Sequence, residues 1–195
     1  MKKILQKDEK VLRATAKEVP INEIISLKIK KIIKEMSGAL KSQSDGVAIA
    51  APQIGYSLRI FVVSGRVLKA GFPESTEEPL NSPHPNLPLP KGEVTEGVKE
   101  REEIPKDLIF INPKISKLSR EKDWVPEGCL SVRPLYGKTF RSKKATVTAY
   151  DENGKKFTRG ASSLLAQIFQ HETDHLNGIL FIDHAKDIKA EAPQK

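Results

Sequence analysis

Apolar residues recur three and four positions apart from Ile21 to Leu40: Ile21, Ile24, Ile25, Ile29, Ile32, Ile33, Met36 and Leu40. Lys28, Lys30, Lys31 and Lys34 fall mainly between them. One side of a 3.6-residue period is therefore apolar and the other basic, which predicts an amphipathic N-terminal helix with a solvated outer face. Pro20 opens this pattern, Asn22 is the expected N-cap, and Ser37-Gly38 is where the end should fray. A water-facing row of lysines accounts for the basic side better than a membrane-surface helix does. The first twenty residues carry no such period and read as a short strand or extended arm ending in a turn.

The period then shortens. Residues 58–63 form a continuous apolar run, 108–111 another, and 114–118 alternate; each is a strand signal. Residues 124–132 follow, and 145–150 alternate strongly. Asp151-Glu152-Asn153-Gly154 is a hairpin turn from which 155–158 return. After Gly160, Leu164, Leu165, Ile168, Phe169 and Leu176 restore a helical period, with Ser162 or Ser163 as the cap. Strands enclosed by an early and a late helix, without repeats, predict an α+β fold.

Two stretches fit neither period. Residues 44–55 are small, nearly uncharged and bounded by glycines, so a tight buried loop is expected; Gln53 is the one amide in it and needs a partner from protein or substrate. Residues 66–107 hold Pro73, Pro79, Pro83, Pro85, Pro88, Pro90 and Pro105, seven of the chain's 13 prolines. They read as a surface insertion in a single catalytic domain spanning 1–195. A length of 195 residues suffices for one domain with a full core, and 38% hydrophobic with 30% charged residues indicates neither disorder nor a membrane class. The start has no apolar segment long enough for a signal peptide, so a cytoplasmic location is expected. A net charge of +8 favours encounter with polyanions such as RNA, although no zinc-finger or RNA-binding signature is present.

The candidate chemistry lies on the last helix. Gln170-His171-Glu172-Thr173-Asp174-His175 contains H-E-x-x-H. On a helix His171 and His175 share one face and can grip one metal ion, while Glu172 sits a step round, within reach of a water there. A catalytic site of this kind needs a third protein ligand. Phe181 stands where one class of H-E-x-x-H enzymes has a third histidine, and it cannot ligate. Asp183 and His184 remain candidates, a little far along for the same face. Cys129, the only cysteine, is the better one: it follows Glu127-Gly128, and a thiolate beside a divalent ion is deprotonated outright. Its alternative is a small buried hydrophobe.

Three segments, in this order, resemble the signature motifs of the peptide deformylases: residues 46–55, 127–132 and 170–178. Flanking text is similar as well, at 11–13, 110–113, 150–151 and 178–183. The resemblance covers nearly the whole chain outside 66–107, and it departs from the family pattern at Ala48 (usually glycine), Ile49, Thr173, Arg133-Pro134 and Gln167. It implies mixed or antiparallel sheets packed around a central metal-binding helix. It implies removal of the formyl group from the N-terminal formylmethionine of newly synthesised polypeptides, releasing formate. Cys129, His171 and His175 are then the metal ligands, and a metal-activated water attacks the formyl carbon with Glu172 as general base and later acid. Gln53 and the Leu130 N–H are the expected oxyanion donors. Val47, Leu130, Leu164 and Ile168 are expected to line a pocket for the methionine side chain, with Gly46 and Gly128 letting the peptide backbone lie close.

The ligand set by itself suits zinc; the resemblance argues for Fe2+, with Zn2+, Ni2+ or Co2+ able to substitute. N-formylmethionyl nascent chains are the expected partners, with neither DNA nor membrane. Electrostatic association with the ribosome is a further expectation, although residues 185–195 leave room only for an abbreviated helical anchor. Two rival readings are a metallopeptidase that cleaves internal bonds and an inactive metal-binding protein.

Overall fold

The structure is a computed structural model and describes residues 2–69 and 105–190. Its elements follow in the order α1 (Leu27–Lys41), β1 (Ala48–Ala50), β2 (Ile60–Val63), α2 (Gly65–Lys69), β3 (Leu108–Leu118), β4 (Lys122–Gly128), β5 (Leu135–Ser142), β6 (Lys144–Tyr150), β7 (Lys156–Ser162), α3 (Ser163–Leu176) and β8 (Lys186–Ala190). Five strands form one sheet in the order β1-β2-β3-β6-β7, and β4-β5-β8 form a second. Every pairing within the two sheets is antiparallel.

The apolar runs at 58–63 and 108–111 do not alternate with polar residues because both faces of the five-stranded sheet are covered. Phe61, Val63, Phe110, Ala48 and Ala50 point to one side, where they pack with Leu165, Ile168, Phe169 and Leu176 of α3. Ile49, Ile60, Val62, Ile109 and Ile111 point to the other side, against Ile29, Ile32, Met36 and Leu40 of α1. Phe61 stacks on Phe110 with centroids 4.4 Å apart, and Phe169 of α3 meets Phe110 edge-on at 5.1 Å. Burying side chains of this size, at about 1.5–3 kcal/mol each, fixes α3 on the sheet. A third cluster joins Leu12, Val132, Leu180 and Phe181, so the residue that excluded a third histidine is a core side chain.

Several boundaries differ from those the sequence predicts. α1 starts at Leu27, and its cap is Ser26, whose Oγ accepts from Ile29 N at 3.3 Å, in place of Asn22. Residues Ile21–Glu23 form a separate 3-10 turn, and Ile21 and Ile25 are exposed; their spacing extends the helical pattern without joining the core. The helix also runs through Ser37-Gly38 to Lys41, because burial of Ala39 and Leu40 outweighs the low helix propensity of one glycine. Gly160 lies inside β7, and Ser162 occupies the cap position of α3 without a side-chain capping bond.

Three strands escape the periodicity argument. β1 is only three residues of small side chains within the expected tight loop. β5 alternates buried and exposed positions that are not apolar and polar. β8 puts a strand where the tail would hold an abbreviated helix. Asn112 buries its amide and bonds both Val19 N (2.8 Å) and Val19 O (2.7 Å), which ties the N-terminal arm to β3. The insertion expected at 66–107 begins as the short helix α2, and its greater part lies outside the described residues.

Candidate active site

α3 is buried along the side that carries the motif. Leu165, Ile168, Phe169 and Leu176 anchor it on the five-stranded sheet, and the same rotation turns His171, Glu172 and His175 toward the second sheet. Cys129 follows β4 directly. One donor atom from each of Cys129, His171 and His175 lies within 4.8 Å of the others, and Cys129 Sγ is 3.2 Å from His175 Nε2. The two imidazole rings meet edge to face, centroids 4.8 Å apart. Ser131 N donates to the sulfur at 3.4 Å and Gln53 Nε2 at 3.6 Å. Burial and the neighbouring His171 push the pKa of His175 well down, so it is a neutral imidazole with a lone pair to offer. One cysteine sulfur and two imidazoles at this separation fit a borderline-soft divalent ion. Asp183 and His184 do not join the group. Asp183 pairs with Arg13 at 2.6 Å, and His184 Nε2 lies 4.0 Å from Asp174 Oδ2.

The histidine pair is held by a carboxylate that sequence reasoning did not single out. Glu127, 6% exposed, meets His171 Nδ1 at 2.7 Å, so the other ring nitrogen of His171 faces Cys129. Arg141 donates to both Glu127 oxygens, at 2.7 and 3.0 Å, and to Asp174 at 2.6 Å. Thr139 Oγ1 donates to Glu127 at 2.6 Å and Gln167 Nε2 at 3.3 Å. Burial by itself would raise the Glu127 pKa; the hydrogen bonds from His171 and Arg141 outweigh it and hold the group well below the carboxylate range. Alternation along β5 was the available signal. Gly137, Thr139 and Arg141 share the inward face, an arginine among buried positions, and such a charge requires a partner.

Glu172 is 3% exposed, and its Oε2 has no hydrogen-bond partner. Burial, opposed by His171 and helped by Glu127 and Asp174, raises its pKa to about 7. It lines a pocket of about 280 Å³ together with Gln53, Cys129 and His171. Gly46, Val47, Gly128, Leu130, Leu164 and Ile168 line the same pocket, so all the residues singled out around the motif except His175, buried behind them, border one cavity. Gln53 Oε1 accepts from Ala50 N at 2.8 Å and its Nε2 donates to Ser131 Oγ at 3.1 Å. Ala48 is buried in the cluster beneath α3, and its methyl leaves this bracing of Gln53 intact. The two glycines are required by the protein's own packing. A Cβ at Gly128 would stand 2.4 Å from the Tyr136 ring, and one at Gly46 would stand 2.9 Å from Leu40 Cδ1. Arg133 and Asp45 form an ion pair at the rim of this pocket.

A cysteine–histidine–histidine cluster, half-buried at Cys129 and His171 and fully buried at His175, with a buried carboxylate of raised pKa beside it in an antiparallel α+β fold, defines the class of metal-dependent hydrolases. The profile of the polypeptide deformylase family matches residues 1–191. The chain is 34% identical over 184 residues to peptide deformylase 2 of Clostridium acetobutylicum, covering 94% of each chain. It is 34% identical over 177 residues to the peptide deformylase of Borreliella burgdorferi, covering 91% of this chain and 83% of that one. The crystal structure of the Thermotoga maritima peptide deformylase superposes with a TM-score of 0.70 at 28% identity, over 95% of this chain and 98% of that one. A class I type b peptide deformylase from Acinetobacter baumannii, bound to Met-Ala-Ser, gives 0.69 at 27% identity, over 93% and 97%. This chain belongs to the peptide deformylase family, enzymes that remove the N-formyl group from new polypeptides with the help of a divalent metal.

Proposed function

We propose that Cys129, His171 and His175 hold one divalent ion, and that Glu172, Gln53 and the Leu130 N–H carry out deformylation beside it. The observation that carries this reading is the meeting of three ligand atoms within 4.8 Å next to a buried, unpartnered Glu172 oxygen. When bound, the ion supplies Lewis acidity and brings the pKa of a water near neutrality. Fe2+ is the working ion in this proposal, with Zn2+, Ni2+ or Co2+ accepted by the same donors.

The chain's own groups then divide the work. Val47, Leu130, Leu164 and Ile168 receive the methionine side chain, and the backbone beside Gly46 and Gly128 accompanies the peptide. Glu172 takes the proton of the attacking water at its free carboxylate oxygen and returns it to the departing amine. As the formyl oxygen gains charge, Gln53 Nε2 and the Leu130 N–H donate to it. Gln53 needs no rearrangement of its backbone for this, because Ala50 N already fixes its carbonyl end. Phe181 is buried in a separate cluster, which supports the cysteine over a third histidine and the deformylase over a peptidase of the histidine type.

The test is a comparison of metal content. Cys129→Ser, purified under nitrogen, should retain far less iron than the parent; equal occupancy would refute the ligand assignment. Two further parts belong to the same proposal. The enzyme works in the cytoplasm as one catalytic domain with residues 66–107 as a surface insertion. Its net charge of +8 also favours salt-sensitive association with ribosomes. Co-sedimentation that does not weaken as salt is added would contradict the electrostatic form of that association.

A further inference from the structure

The face of the β4-β5-β8 sheet that looks away from the metal cluster has a composition the deformylase chemistry does not use. Antiparallel register sets Trp124 opposite Phe140, Pro126 opposite Lys138, and Lys138 opposite Lys186. Directly opposed residues share a face, so these side chains stand together, while Glu127, Thr139 and Arg141 occupy the other side. Trp124 and Phe140 are 40% and 51% exposed, with centroids 5.3 Å apart. Lys186 Nζ lies 4.5 Å above the Trp124 ring, and Lys122 Nζ lies 5.8 Å above the Phe140 ring. Lys138 contacts Asp187 at 3.4 Å, an exposed pair of small worth.

We infer that this face is a binding platform for single-stranded RNA, with bases stacking on Trp124 and Phe140 and phosphates meeting Lys122, Lys138 and Lys186. Two adjacent aromatics are exposed on the sheet, and the flexible lysines that lie over their rings swing out to phosphates as bases take the ring faces. An apolar protein partner would have to strip water from three lysines to reach the rings. The choice of RNA over DNA rests on the family's activity on new polypeptides; the stacking argument does not depend on it.

Trp124 is the only tryptophan, so emission excited selectively from tryptophan reports on this face alone. Metal-loaded full-length protein is titrated with single-stranded oligouridylate and, separately, with duplex RNA, single-stranded oligothymidylate, heparin and phosphatidylserine vesicles. The expected result is saturable quenching by oligouridylate, weakened by salt, with little quenching by heparin and weaker binding of duplex and vesicles. Anisotropy with labelled oligouridylate should show Trp124→Ala weakened about tenfold or more. In the same assay Lys186→Gln should lower the salt slope by about one. Both variants should release formate from a formyl-peptide as the parent does, which establishes that they are folded. Equal binding of heparin, duplex or vesicles, or unchanged affinity of folded Trp124→Ala, would overturn the proposal. Oligothymidylate binding as tightly as oligouridylate would overturn the choice of RNA.

Discussion

Glu172 sits in a position that favours chemistry over stability. Burial raises its pKa from 4.5 to about 7, so the folded chain holds a proton that the unfolded chain gives up earlier. In the ion-free protein, stability therefore falls as pH rises from 4.5 through 7, and the whole penalty is present above that. Glu172→Gln should stabilise ion-free protein at pH 8 by roughly 2–3 kcal/mol while abolishing deformylation. Thermal melts of the chelated proteins test this; the gain should vanish below pH 4.5. Gln53→Glu keeps the acceptor for Ala50 N and loses the donor, so kcat should fall on the order of 10²–10³ in steady-state assays. The two histidines, Glu172 and Cys129 were legible in the sequence because their spacing and residue types carry chemistry directly. Glu127 was not. Its partners Thr139 and Arg141 arrive through strand register, and the chain around them shows no motif.

At the scale of elements, the β4-β5 hairpin positions the cluster. It delivers Cys129 at one end and aims the Glu127–Arg141 pair at His171 from its inner face. Arg141→Met leaves the Glu127 carboxylate buried without its two-pronged partner. It should cost about 3–5 kcal/mol in denaturant unfolding and weaken metal retention about 10- to 100-fold. Gly128→Ala drives a methyl into the Tyr136 ring, so it should lower both stability and kcat/KM, and adding Tyr136→Ser should restore much of each. The two amphipathic or apolar patterns, α1 and β2, were readable because burial imposes period on sequence. β5 and β8 were not, since one face of their sheet carries lysines and aromatics and the other a polar network. The helix starts shifted for a similar reason: Ser26 caps α1 because the turn at Ile21–Glu23 consumes the earlier residues.

Across the whole molecule, one sheet builds the core and the other builds the site's second wall. α3 lies between them and belongs to both, contributing Phe169 to the aromatic core and His171 to the cysteine–histidine cluster. The overall class, α+β, followed from the order of periods along the chain, whereas mixed or antiparallel sheets were implied only by the family resemblance. The division into two sheets did not, because it depends on which strands pair across long stretches of sequence. The central claim is that Glu172 acts at an ion held by Cys129, His171 and His175 to release formate. Its most direct test is formate release from formyl-Met-Ala-Ser by anaerobically prepared, Fe2+-loaded protein, beside an equally loaded Glu172→Ala variant. The predicted result is turnover by the parent and a loss of several orders of magnitude in the variant. Equal rates for the two proteins, or no formate from either, would contradict it.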